Sequence, residues 1–197
     1  MNEAREESEP SRLTSLIRNI LDELPYDEAT ISSSKDDTSK RLSALWFDLL
    51  SGSNEDASQC FNGGLETSAS EYIVFRDIAF YSLCEHHFLP FFGSVDVLYR
   101  PGSAGLVAGA ATVARAIGVV SKRLQLQERF TNEIADAIFR GVDAQGVVVV
   151  TKAHHLCMSM RERRDSGTSL TCISTAGTFA LEGQNRSEAM QIIFGGQ

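Results

Sequence analysis

Three of the four histidines (His86, His87 and His155) and two of the four cysteines (Cys84 and Cys157) stand at ligand-like spacings within two short segments. In Cys84-Glu85-His86-His87, a thiol and an imidazole three residues apart can reach one ion from a turn, and that donor pair suits zinc. Taken alone, the pair also describes a buried thiol beside a surface histidine. In the second segment, a strand running through His155 and Cys157 would place both on one face, together with Ser159 and Arg161. A core strand has little use for that combination, so the face is expected to wall a polar cleft. A plain solvent-facing side is the alternative for Ser159 and Arg161. Three protein ligands with one open position would make a zinc ion catalytic, and the spare histidines could then carry protons.

A third cluster is Gln127-Glu128-Arg129. A carboxylate beside an amide can accept from the N–H edge of a purine, although a charged helix face would read the same way. The chain has no P-loop, no HExxH pair and no glycine-rich dinucleotide fingerprint.

The elements that must position these residues follow from periodicity. Leu13, Ile17, Ile20, Leu21 and Leu24 predict an amphipathic helix ended by Pro25. Leu42, Leu45, Trp46 and Leu49 predict a second, capped by Thr38 or Ser39, and residues 51–70 read as a polar loop. Strands are predicted over 72–80 and 94–99, with Val95, Val97 and Tyr99 on one face. A buried helix at 109–120 precedes a clearer one through Leu126, Phe130, Ile134 and Ile138 to Gly141. The run Val147 to Val150 begins a buried strand continuing towards Arg161, residues 168–181 form the last strand, and Gly183 onward reads as a short tail. The order predicts an α+β fold, an antiparallel four-stranded sheet with two helices, preceded by N-terminal helices. The composition shift divides an acidic arm, 1–37, from a main domain, 38–197.

With 197 residues, 43% of them hydrophobic and 22% charged, the chain can bury a substantial core. Its net charge of −8 argues against non-specific nucleic-acid binding but not against a local arginine site for a small anion. No apolar run reaches membrane-spanning length and the start does not resemble a signal peptide. The expectation is a cytoplasmic protein whose cysteines are thiols or ligands.

The segments Phe75-Arg76-Asp77-Ile78-Ala79-Phe80-Tyr81-Ser82-Leu83-Cys84-Glu85-His86-His87, Leu89-Pro90-Phe91-Phe92-Gly93, Arg123-Leu124-Gln125-Leu126-Gln127-Glu128-Arg129 and His155-Leu156-Cys157-Met158 resemble the GTP cyclohydrolase I family. The resemblance spans about residues 38–182. It implies a tunnelling (T-) fold assembled as a homodecamer, with zinc on Cys84, His87 and Cys157. It further implies proton transfer by His86 and His155, guanine recognition by Gln127 and Glu128, and triphosphate contacts from Arg41, Arg115 and Arg161. The implied reaction adds zinc-activated water to C8 of GTP, opens the imidazole ring, releases formate and recloses to 7,8-dihydroneopterin triphosphate.

One stretch departs from the family. Where its members carry Gly-Leu-Ser-Lys ahead of the helix bearing the phosphate arginine, this chain has Gly109-Ala110-Ala111-Thr112, and Glu162 replaces a glycine after Arg161. Charge-assisted contacts to phosphate contribute about 1.5–3 kcal/mol each. The departure therefore admits a second expectation, a related hydrolase acting on a guanine-type purine without the triphosphate (guanine, a nucleoside or 8-oxoguanine). A non-catalytic regulatory paralogue is a third, which the presence of both His86 and His155 disfavours.

Overall fold

The computed structural model describes residues 9–25, 33–62, 65–66, 71–160 and 168–195. The chain divides between Leu50 and Ser51 into two compact units.

In the first unit, α1 (Glu9–Glu23) packs on α2 (Lys35–Leu49), with Ile17 and Leu21 buried on α1 and the small Ser39 and Ser43 buried on α2. Ser34 caps α2, its Oγ accepting from the amide of Asp37 at 3.1 Å, and Asp36 and Asp37 face the positive end of the helix dipole. The helix thus starts ahead of Thr38 and Ser39. A boundary after residue 37, drawn from composition, would cut through α2, which groups with α1 instead.

The second unit is built on a sheet ordered β5-β2-β3-β6-β7. A separate short pair joins β1 (Leu65–Glu66) to β4 (Leu106–Val107). Strands β2 (Ile73–Cys84), β3 (Pro90–Arg100), β6 (Gly146–His155) and β7 (Leu170–Gly177) are antiparallel neighbours. The two-residue β5 (Leu124–Gln125) adds a parallel fifth strand against the end of β2. Helices α3 (Ala110–Ser121) and α4 (Gln127–Gly141) supply Val113, Ile117, Phe130, Ile134 and Ile138 to a core with Val95, Val97, Tyr99, Val147 and Val149. This is the α+β arrangement that the sequence predicts. In β2 the pairing slips between Phe75 and Ile78, at a bulge where Asp77 adopts φ 54° and its amide donates to Asp96 Oδ1 at 2.8 Å.

Three expectations are corrected. Residues beyond Gly183 form no simple tail: α6 (Gln184–Gly195) covers a second core of Leu98, Val148, Val150, Phe179, Ala189 and Ile193. Having cover on both faces explains the uninterrupted run of four valines in β6. Within 51–70, two short 3₁₀ turns (Ser51–Asn54 and Ala57–Phe61) replace a featureless loop and send Ala57 and Phe61 into the main core. Phe61 sits so close to α4 that a Cβ on Gly141 would lie 2.3 Å from its ring. Finally, β6 stops at His155, and Leu156–Ser159 form a single helical turn, α5. Cys157 and Ser159 therefore do not extend a strand face shared with His155, while Arg161 and Glu162 lie outside the described residues.

Candidate active site

Cys84 ends β2 as a buried thiol on the main core, and the chain reverses immediately after it. The amide of Phe88 donates to Cys84 O at 2.9 Å, that of Cys84 to Leu89 O at 2.9 Å, and Phe88 takes φ 56° to close the turn. This reversal carries Glu85, His86 and His87. The Glu85 amide donates to Gln125 O at 3.0 Å and its carboxylate accepts from Arg129 on α4. Arg129 also donates to Leu124 O at 2.7 Å and to Gln125 Oε1 at 3.0 Å, so α4 and β5 brace the turn from one side.

Across the sheet, α5 brings Cys157 to the same place. One ligand atom each from Cys84, His87 and Cys157 can be chosen so that all three lie within 4.8 Å of one another. Two thiols and an imidazole form a zinc-type donor set, and small side-chain rotations would bring them to zinc–ligand distances of about 2.0–2.3 Å. Three ligands leave the fourth tetrahedral position open. The residues present fit the metal.

His86 is exposed beside this group, its ring 6.1 Å from that of His87 and nearly perpendicular to it. His155 is held more firmly. Its ring stacks on Phe91 at 4.9 Å with 4° between the planes, and Phe91 packs edge-on against Phe80 and Phe130. Its Nε2 lies 2.8 Å from Gln127 Oε1. Burial pushes the imidazole pKa below its ordinary value, the Glu128 carboxylate opposes that, and His154 adds to the lowering. The neutral ring is thereby favoured.

Gln127, at the first residue of α4, is 1% exposed and its Nε2 donates to Thr151 Oγ1 (3.0 Å), Thr151 O (3.2 Å) and Leu170 O (3.0 Å). The side chain expected to read a purine edge is thus engaged at both ends within the chain. Glu128, on the next position, is exposed and remains open to a ligand; it also acts with burial to push the Cys172 thiol pKa up.

Within the second unit, Arg115 is engaged away from these groups. Arg115 is exposed on α3 and donates to Cys60 O at 2.6 Å, on the second 3₁₀ turn. Ala111 and Thr112 stand in the first turn of the same helix. Arg41, in the first unit, donates to Ser33 Oγ at 3.2 Å.

Sequence reasoning passed over Phe91, Thr131 and Thr151. Thr151 carried a signal, as the hydroxyl that ends an all-valine run, and Thr131 another, four residues after Gln127 on one helical face.

The profile of the GTP cyclohydrolase I family matches residues 13–194. Relatives named GTP cyclohydrolase 1 include that of Bacillus pumilus, 39% identical over 80% of this chain and 82% of the relative, and that of Bacillus subtilis, 40% identical over the same shares. The relative from Halalkalibacterium halodurans is 38% identical over 81% of this chain and 85% of its own. The archaeosine synthase QueF-Like, solved in the apo form, superposes with a TM-score of 0.43 at 18% identity, over 56% of this chain and 97% of that one. The match over nearly the whole chain, and relatives near 40% identity at nearly full length, place this protein in the GTP cyclohydrolase I family.

Proposed function

We propose that the protein is a zinc-dependent GTP cyclohydrolase I, converting GTP and water to 7,8-dihydroneopterin triphosphate and formate. The observation that carries this reading is the convergence of Cys84, His87 and Cys157 beside a fixed His155 in a chain of this family. In it, Cys84, His87 and Cys157 hold zinc, which when bound supplies the Lewis acidity that makes water a nucleophile near neutral pH. His155, kept neutral by burial, takes up and returns protons at the purine ring, and the exposed His86 exchanges protons with solvent. Glu128 accepts from the N–H edge of guanine, with Gln127 behind it. Arg115, Arg41 and Arg161 meet the triphosphate, which requires Arg115 to exchange its bond to Cys60 O for one to phosphate.

The reading extends to a homo-oligomer, a decamer by resemblance, in which the edge strand β7 with its exposed Leu170 and Ile173 would find a neighbour. It also extends to a cytoplasmic location; no helix among the described residues is long and apolar enough to cross a membrane.

A second reading, hydrolysis of a purine lacking the triphosphate, is favoured by one observation. The first turn of α3 presents Ala111 and Thr112 where a phosphate site would want a hydroxyl and an ammonium, and Arg115 on that helix is already engaged. Formate release by zinc-loaded protein from GTP, GMP, guanosine and guanine, with carbon dioxide release from 8-oxoguanine, decides between them. The first reading expects GTP to be turned over best, and turnover confined to unphosphorylated purines would replace it with the second.

A further inference from the structure

We propose that Gln127 is a positioning residue for His155, its carboxamide held one way round by Thr151, Thr131 and two backbone carbonyls so that it dictates which nitrogen of the imidazole carries its proton. The proposal takes from the preceding section that His155 moves protons.

The direction of these bonds follows from counting hydrogens. A threonine hydroxyl has one to give. Thr131 Oγ1 lies 2.6 Å from the backbone carbonyl of Gln127, which can only accept, so the Thr131 hydrogen is committed there. Without it, two oxygens at that separation would repel. Thr131 Oγ1 and Thr151 Oγ1 are 2.8 Å apart, and with the first already spent, the second must donate. Thr151 Oγ1 then faces Gln127 purely as an acceptor.

Only one orientation of the Gln127 carboxamide satisfies that arrangement. Nε2 must point to Thr151 Oγ1, at 3.0 Å, and the carbonyls of Thr151 and Leu170 demand the same independently, since neither can donate. The other end of the amide, Oε1, is left to meet His155 Nε2 at 2.8 Å. A carboxamide oxygen only accepts, so Nε2 carries the hydrogen and the Nδ1 lone pair of the neutral ring is the one free to take a proton.

Burial removes the escape routes. Gln127, Thr131 and Thr151 are exposed by 1%, 1% and 0%, so water cannot replace a lost partner at little cost. The ring plane is fixed separately by Phe91, leaving the amide to select the tautomer. Groups that act behind a site in this way commonly alter it by about 10–100-fold when removed.

The test is magic-angle-spinning NMR of zinc-loaded, full-length protein labelled with 15N-histidine, using His155→Gln to assign the signal. A protonated-type shift at Nε2 and an unprotonated-type shift at Nδ1 are expected; the opposite tautomer in the unaltered protein would overturn the proposal. Gln127→Leu, which removes the acceptor, should yield a tautomer mixture and lower kcat about tenfold, whereas Thr151→Val should keep the Nε2–H tautomer because the carbonyls of residue 151 and Leu170 still orient the amide. A Gln127→Leu protein with the original tautomer and kcat would also overturn it. If no purine yields formate while His155 still shows the Nε2–H form, the positioning by Gln127 stands and the proposed function falls.

Discussion

Around His155 the side chains are held by buried partners: Phe91 beneath the ring, Gln127 at its edge, and two threonines behind the amide. On α3, by contrast, Arg115 reaches across the surface to a backbone carbonyl, and the turn before it offers only Ala111 and Thr112. The first region is assembled by the fold of one chain and needs no ligand to take shape. The second has charge but no preset geometry for an anion, so whatever binds there must reorganise it. Chemistry and substrate selection are thus separable properties of this molecule, and substitutions can probe them one at a time.

The largest effect is expected at the metal. Cys84→Ser should abolish stable zinc retention through dialysis and lower formate release by more than about a thousandfold, since the metal supplies several kcal/mol of transition-state stabilisation. Zinc bound at parent stoichiometry would show that the three-residue group is not the ligand set. Next comes His155→Ala, expected to cost about 10²–10⁴ in kcat while leaving zinc content intact; a loss confined to KM would move His155 from proton transfer to binding.

Thr112→Lys addresses the other region. If GTP is the substrate, an added ammonium in the first turn of α3 should lower its KM about tenfold and leave the KM of guanosine unchanged, the size expected of one charge-assisted phosphate contact. No change for GTP would mean that phosphates never approach that turn. The smallest effect belongs to Arg140→Ala: its ion pair with Asp56, at 3.4 Å, has both side chains about half exposed, and such pairs contribute little. Chemical denaturation should register a change within about 0.5 kcal/mol.

Much of this was legible in the residues, for reasons that also mark where legibility ended. Alternation in β3 and the helical stripe of α4 are single-face patterns, so burial prints them directly in the sequence. The Ala57–Phe61 turn has no such period: it is held by two side chains, Ala57 and Phe61, sunk into a core made elsewhere in the chain. Helix α6 buries only Ala189 and Ile193 deeply, too narrow a stripe to announce itself. The zinc-type spacing of Cys84 and His87 could be read because both sit on one turn. The path to Cys157 could not, because β propensity gives no warning that the strand stops at His155 and a helical turn begins. Nor could the engagement of Gln127, since its partners Thr151 and Leu170 come from two other strands.

The bulge at Asp77 bears on the metal group from seven residues away. Before it, odd-numbered Ile73 and Phe75 point into the main core; after it, even-numbered Ile78, Phe80 and Cys84 do. One supernumerary residue has switched the parity of the strand. Were the bulge ironed out with Asp77 retained, regular pairing with β3 from Ile73 onward would move Cys84 to the other side of the sheet, facing away from Cys157, whereas deleting Asp77 would remove the bulge and leave Cys84 on its present side. The ligand's location is therefore a counting property of β2: deletion of the one supernumerary residue at the bulge should be tolerated, whereas a single insertion or deletion between Ile78 and Cys84 should not.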